Sequence, residues 1–503
     1  MTGRDNSMNE QDERDQGIDQ ERAPILEGLA DHQARDRYGF TPPGHRQGRG
    51  VQAQTLQVLG TEPFRSDVVS NSGLDDRAHS NNYLKDAQQL MAAAVGAQHA
   101  FFSTCGSSLS VKAAMLAVTR GTGEILISRD AHKSVTAGLV LSGLQPRWIN
   151  PTWDPELHIA HPPTPQAVER MWQRHPDAAA ALVVSPTPYG TCADLKEIAR
   201  ICHARGKPLI VDEAWGAHLP FHEKLPTWAM DAGADICVVS VHKMGLGFEQ
   251  GSVYHLQGGL VDPIRLQQCA DLLATTSAST LVYAGIDGWR MQMVRDGRQQ
   301  LQEALDLVYS TRERIHRLPG LRVLHDELIR EEASHDLDPF HVLIDVTGLG
   351  ISGYQATDWL RHERRIDVGL NDSRHIEATF SQSDDQDTAD RLVEALSGLV
   401  HAAANLPRPP AVHLPGFADL EQETVMLPRE AFFGPVEVVP AAQAAGRICA
   451  EQITPYPPGI PAILPGERIN ASVVDYLRSG VEAGMVLPDP ADPTLKTIRV
   501  VQS

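Results

Sequence analysis

The chain has 503 residues, with 64 Asp and Glu against 44 Lys and Arg, a formal net charge of −20. That balance argues against a nucleic-acid partner, because phosphate backbones demand clustered cations. No apolar run is long enough to span a bilayer as a helix, and the length suits two or three domains.

Met1 to Glu21 is polar and charged, without the apolar core of a secretory signal. Residues 1–22 are expected to form a disordered tail. The six cysteines are Cys105, Cys192, Cys202, Cys237, Cys269 and Cys449, none in a CxxC pair. Most sit in apolar runs, as reduced buried thiols do, so a cytoplasmic setting is expected.

A short helical pattern runs from Pro24 to Tyr38. The loop Thr41-Pro42-Pro43-Gly44-His45-Arg46-Gln47-Gly48-Arg49-Gly50 follows. Its cations suit either a solvated turn or a segment over an anionic ligand. Asn71 to Asp76 is a polar turn. A helix is expected over Tyr83–Val95, with Leu84, Ala87, Leu90, Met91 and Ala94 on one face.

Ala100-Phe101-Phe102 reads as a strand. The small-residue turn Ser103-Thr104-Cys105-Gly106-Ser107-Ser108 and a helix come next. That order places backbone N–H groups, hydroxyls and a helix N-terminus around an anion such as phosphate, although the serines also suit plain caps. Strands are expected at Ile125–Ser128, Ala179–Ser185 and Pro208–Val211, and again at Asp235–Val239. They end respectively in Arg129-Asp130-Ala131-His132, Pro186-Thr187-Pro188-Tyr189, Asp212-Glu213-Ala214-Trp215 and Ser240-Val241-His242-Lys243.

These strands are apolar throughout and alternate with helices. The fold class is therefore α/β, a mostly parallel sheet covered by helices on both faces. Ligands of such sheets sit at the carboxyl ends of the strands. Ser107, His132, Asp212 and Lys243 follow strand ends and can converge there. Farther on, a helix is expected from Gly288 to about Arg317, with strands near His341–Val346 and Ile366–Leu370. Pro-rich segments lie at Leu406–Pro410 and Pro455–Pro461.

An amine, a buried carboxylate, an imidazole and a phosphate cradle together suit pyridoxal phosphate. Lys243 would bond its aldehyde carbon, and Asp212 would keep its ring nitrogen protonated. His132 would stack on one ring face and Ala214 line the other, with Ser107, Ser108 and Ser240 on the phosphate. Each residue alone has an ordinary reading as a cap, a first-turn residue or a surface lysine. Their order along one sheet is what joins them.

Four stretches resemble the ornithine/lysine/arginine decarboxylase family: Thr41-Pro42-Pro43-Gly44-His45, Arg129 to Ser134, Asp212 to His218 and Ser240-Val241-His242-Lys243. Pro455 to Pro461 with Pro465-Gly466-Glu467 resembles that family's C-terminal domain. The resemblance covers about residues 24–503. It implies fold type I of the pyridoxal-phosphate enzymes, with smaller α+β C-terminal domains, in the short form that lacks a wing domain. The expected division is 23–310 (arm and large domain), 311–408 (small α/β domain) and 409–503 (C-terminal domain).

By resemblance Lys243 is the Schiff-base lysine, Asp212 the pyridinium partner and His132 the stacking ring. Gly106, Ser107, Ser108, Ser240 and His242 are cofactor contacts. Trp215 and His218 lie near substrate, and Lys243, His242 or His218 returns the proton to Cα. Thr275, Thr276 and Ser277 are lent to a neighbouring subunit, so a homodimer or larger symmetric assembly with shared sites is expected. Glu467 and Glu249 are candidates for the distal cation of a basic substrate, or else solvated carboxylates. No metal is called for. The implied reaction is decarboxylation of lysine, ornithine or arginine, releasing CO2. The chain departs from the family pattern at Cys105, at Gly247-Phe248-Glu249 and at Gly369, where the family has a Glu. These departures leave another reaction on the same cofactor open: aminotransfer, aldol cleavage or decarboxylation-coupled oxidative deamination.

Overall fold

The structure, a computed structural model, describes residues 19–35, 38–68, 74, 81–119, 121–416, 422–456 and 458–502. Most of the N-terminal tail, most of the Asn71–Asp76 turn and Pro457 lie outside the described residues.

A seven-stranded sheet organises the N-terminal two-thirds of the chain. In sequence order its strands are β1 (His99–Ser103), β2 (Glu124–Ser128), β3 (Gln145–Ile149), β4 (Ala181–Val184), β5 (Leu209–Asp212), β6 (Ile236–Ser240) and β7 (Ser252–Leu256). Their spatial order is β1-β7-β6-β5-β4-β2-β3. Only β7 runs against its neighbours; the pairs from β6 to β3 are parallel. Every residue of β4, β5, β6 and β7 is buried, which explains the uninterrupted apolar runs.

Alternate side chains point to opposite faces and build two cores. Ile125, Ile127, Leu182, Ile210, Val238 and Tyr254 pack beneath helices α1 (Gly106–Ala117) and α2 (Lys133–Ser142), through Leu109, Val111, Met115 and Leu139. On the other face Val183, Val211, Cys237 and Val239 belong to a larger core that includes Trp172, Ile198, Ile286 and Trp289. Each fully buried Val, Ile or Leu contributes about 1.5–3 kcal/mol relative to exposure.

The helix expected from Gly288 begins earlier. Helical backbone runs unbroken from Thr280 through a π-turn at Met293–Gly297 to His316, and Arg298–His316 is named α3. The first helix is shorter than its pattern, Pro24–Ala34.

A second, antiparallel sheet follows. It contains β8 (Arg322–Leu324), β9 (His341–Asp345), β10 (Leu370–Asn371) and β11 (His375–Thr379), ordered β8-β9-β11-β10. The strand expected at Ile366–Leu370 is mostly not formed. The Ile366 amide donates to Leu360 O, closing a π-turn after Arg365 adopts a φ of 58°. The ladder therefore starts only at Gly369, whose N–H donates to Glu377 O. The C-terminal part has its own core around Val439, Ile453, Ile463, Val473, Leu477 and Ile498, with a two-stranded sheet of β12 (Val436–Pro440) and β13 (Thr497–Val501). No helix among the described residues is long and apolar enough to cross a membrane, and all six cysteines are free thiols.

Candidate active site

Strand register decides which residues meet. Ser103 lies opposite Ser252 and Ser252 opposite Ser240, a row of hydroxyl residues at one edge of the sheet. Asp212 is in register with Val184 and Val238 on its two neighbours, at the same edge. The turns leaving β1, β2, β4, β5 and β6 all emerge there.

Lys243 sits in the one-turn helix Val241–Met244 directly after β6. Its ammonium lies 4.1 Å from the centre of the Trp215 ring. Burial pushes its pKa below the usual amine value, opposed by the Asp212 carboxylate. Gly245 and Gly247 let the chain fold back on this turn, because a Cβ at Gly247 would stand 2.8 Å from Val241 Cγ1. Asp212 is 4 % exposed. Its carboxylate accepts from the Ala214 N–H at 3.3 Å. Burial raises its pKa, and Lys243 opposes the rise. Ser240 Oγ is buried without a hydrogen-bond partner, a state polar atoms rarely hold unless a ligand completes them.

His132 is the N-cap of α2, and its Nδ1 accepts from the Ser134 N–H at 3.2 Å. Burial, then the charges of Lys243 and Lys133, lower its pKa to about 4, so the ring is neutral at neutral pH. The C-terminal segment closes against it: the Lys133 N–H donates to Gly459 O at 3.0 Å. A Cβ at Gly459 would stand 3.0 Å from His132 Cδ2. Gly106 opens α1 at a φ of +75°, with nothing within 4 Å of where a Cβ would stand. Ser107 and Ser108 occupy that helix's first turn, where backbone N–H groups have no helical acceptor. Cys105 is the N-cap, and its thiol makes no capping bond. The Gly106 N–H donates to Gln250 O, tying this turn to the segment after Lys243.

His242 Nδ1 is 3.1 Å from Gly251 O, an atom that only accepts, so Nδ1 carries the proton and Nε2 is the basic nitrogen. Glu249 has a side chain 90 % exposed, with an oxygen 3.9 Å from His242 Nε2; its placement is that of a solvated carboxylate. Glu467 is not solvated. It is buried, 3.3 Å from Arg129 Nη2, and accepts from the Leu464 N–H at 2.8 Å, while Oε1 has no partner. Thr275, Thr276 and Ser277 form an exposed turn before the long helix. In the loop of Thr41–Gly50, His45 pairs with Asp67 at 3.2 Å and Arg46 donates to Thr41 O.

Sequence reasoning missed the surroundings of Trp215 and His218. His218 Nε2 lies 3.1 Å from Asp338 Oδ2. His341, from β9, meets Trp215 edge-to-face with ring centres 5.2 Å apart, and lies 3.1 Å from Glu377 of β11. Nothing local marks Asp338, His341 or Glu377: the first two lie three residues apart where the chain enters β9, and Glu377 comes from β11. The departure at Gly369 belongs to the same place: a Cβ there would collide with the Glu377 carboxylate.

Comparison with known proteins gives the family. The family description "Orn/Lys/Arg decarboxylase, major domain" matches residues 23–387, and the C-terminal domain of the same family matches 415–489. The chain belongs to the Orn/Lys/Arg decarboxylase family. Its activity is the decarboxylation of a basic amino acid, and the family's decarboxylases depend on pyridoxal phosphate. Similar relatives include arginine decarboxylases of Bacillus subtilis and Halalkalibacterium halodurans. Each is 38% identical over 96% of this chain, covering 99% and 98% of the relatives. A lysine decarboxylase of Pseudomonas aeruginosa is 25% identical over 90% of this chain and 75% of its own. The structure of the Escherichia coli constitutive lysine decarboxylase superposes with a TM-score of 0.79 at 20% identity, over 97% of this chain and 83% of that one. It supports the fold, including the fold-type-I sheet expected from sequence.

Proposed function

We propose that this chain is an arginine decarboxylase that holds pyridoxal phosphate on Lys243. The orphaned Ser240 hydroxyl, at the end of β6 three residues before Lys243, carries the cofactor reading, because it is a buried polar atom in need of a partner at the sheet edge where Asp212 and Lys243 also lie. When bound, the cofactor supplies an electron sink for the pair released as the carboxylate bond breaks.

The protein supplies the rest. Desolvation favours the neutral amine of Lys243, the form that attacks a carbonyl. Asp212, buried at the end of β5, fits a protonated ring nitrogen, since burial without a cation is unfavourable to its charge. His132 presents a neutral flat ring, and Ala214 a small side on the opposite face. Gly106, Ser107, Ser108 and Ser240 offer donors to the phosphate, with the α1 N-terminus adding its dipole. Thr276, on its exposed turn, reaches a neighbouring subunit's site in a homodimer or larger symmetric assembly. Lys243 Nζ and His242 Nε2, once each has taken up a proton, are the atoms able to give it to Cα, with His218 as a third candidate.

Arginine is favoured over lysine and ornithine by likeness to the two arginine decarboxylases across nearly the full chain. Glu467 supplies a buried carboxylate oxygen without a partner, suited to a guanidinium. The division into 23–310, 311–408 and 409–503 belongs to the same proposal. The separate core of the last part supports its final boundary. A single core runs from Ile25 to Ala403, so the first two parts fold as neighbours sharing one interior.

The test is incubation of the cofactor-loaded enzyme with arginine, lysine and ornithine, following CO2, amine and ammonia. Arginine should show the highest kcat/KM, with CO2 and amine equal and no ammonia. A higher kcat/KM for lysine or ornithine overturns the substrate assignment, and ammonia with keto acid overturns simple decarboxylation.

A further inference from the structure

Four titratable side chains meet in the interior between the two sheets. His341, Asp338, Glu377 and His218 have side chains no more than 1 % exposed. They come from β9, the loop before it, β11 and the turn after β5. His341 Nδ1 is 3.1 Å from Glu377 Oε1, and its Nε2 is 3.8 Å from Asp338 Oδ2. The Thr379 hydroxyl lies 2.9 Å from the Glu377 carboxylate. Behind them Arg312 of α3 donates to His341 O at 2.6 Å and Pro339 O at 2.7 Å. Gly190, at a φ of +85°, lets its turn press on the ring, since a Cβ there would stand 2.7 Å from His341 Cβ.

Burying this much charge is unfavourable unless the groups hold one geometry. Burial disfavours the charged His341 ring, yet the nearby Glu377 carboxylate, with Asp338, outweighs it and raises its pKa. The ring thus has a carboxylate on each side, Glu377 at 3.1 Å and Asp338 at 3.8 Å, and neither contact has the geometry of a hydrogen bond. The His341 and Trp215 rings meet at 75° with centres 5.2 Å apart, an edge-to-face pair. Trp215 also meets the Lys243 ammonium, 4.1 Å from its ring centre.

We propose that His341, clamped between Glu377 and Asp338, is a positioning residue for the reaction: it fixes the plane of Trp215, and Trp215 holds the amine of Lys243. The proposal rests on Lys243 being the carbonyl-binding amine. It also accounts for Gly369. The carboxylate that clamps His341 fills the space a side chain at 369 would need, so the departure at that position belongs to the clamp.

The titratable groups facing Lys243 are the Asp212 carboxylate and the His132 ring, and neither is altered when His341 is replaced. The test compares His341→Ala with His341→Phe in the full chain. Both remove the titratable imidazole, but only Phe keeps an aromatic ring against Trp215. In cofactor-stripped protein, capture of Lys243 by pyridoxal lacking its phosphate is followed against pH, and kcat and KM are measured on the loaded enzyme. Loss of the aromatic contact removes stabilisation of the ammonium. The capture midpoint of His341→Ala should therefore fall by about 0.5–1 pH unit, and kcat should fall about tenfold with KM within about threefold. His341→Phe should restore both to near parental values.

A purely through-space charge effect would raise the midpoint equally in both variants, and that result overturns the proposal. Parental midpoint and kcat in His341→Ala, whatever its thermal stability, also overturn it. Should His341→Ala fail to fold, Glu377→Ala releases the same ring and should lower the midpoint likewise; a parental midpoint there overturns the clamp. Failure of the Lys243 assignment is distinguishable: Lys243→Ala would then be captured as readily as the parent.

Discussion

Glu213 neighbours Asp212 in sequence but points to the opposite face of the sheet, and its protonation sets a measurable pH dependence. It is fully buried, accepts from the Ala229 N–H at 3.2 Å and the Cys237 thiol at 3.0 Å, and leaves Oε1 without a partner. Burial raises its pKa from 4.5 to about 8. The folded chain therefore keeps a proton that the unfolded chain loses above about pH 4.5. A raised carboxyl stabilises the fold only while protonated, so stability attributable to this group falls as pH rises from about 4.5 through about 8. Replacement by Gln keeps the shape and the acceptor while removing the titration. With about 1.4 kcal/mol for each pH unit, Glu213→Gln should be more stable than the parent by about 1–2 kcal/mol near pH 5.5 and by about 4 kcal/mol near pH 8. Urea unfolding followed by near-UV circular dichroism at the two pH values reads the difference. A stability gap that does not widen between them refutes the reasoning, because it would mean that Glu213 is ionised at little cost in the folded chain.

Lys243→Ala should abolish the visible absorbance of covalently held cofactor and lower kcat by at least about a thousandfold, since both roles require the amine. Borohydride treatment followed by peptide mapping locates the attachment in the parent. The lowered pKa of His132, about 4, makes the unfolded chain the stronger proton binder between about pH 6.5 and about pH 4. Stability should fall as pH drops through that window, by about 3 kcal/mol in all, and His132→Phe should lose this component of the pH profile. Gly369→Glu should destabilise by about 1–3 kcal/mol through overpacking against Glu377, read as a lower thermal midpoint. An unchanged midpoint would show that β10 and β11 can part to admit the side chain.

Much of the fold was legible because parallel strands buried on both faces must be apolar along their whole length. β4, β5 and β6 stood out as unbroken runs, and the polar residues that interrupted them marked strand ends. Asp212, Ser240 and Lys243 were visible for that reason, and His132 for opening the helix after β2. Boundaries that depend on competition for one amide were not legible. Ile366 looks like a strand residue, yet its N–H closes a helical turn on Leu360, and only β10 is left of the expected strand.

The amino-acid sequence by itself determined the sheet, the chain order of the strand-end residues and the chemistry they suit, because apolar runs and their terminating side chains are local properties. Only the tertiary structure decided which carboxylates serve which partner. Glu467 turned inward to Arg129 and Glu249 stayed in solvent, although both are glutamates in polar, glycine-bearing turns. Asp338 and His341, at the entry to β9, and Glu377, from β11, come from two stretches far apart in the chain and come together only when β9 and β11 pair. Long-range pairing of buried charges leaves no periodic trace in a sequence, since each partner is a single residue and its distance along the chain is arbitrary.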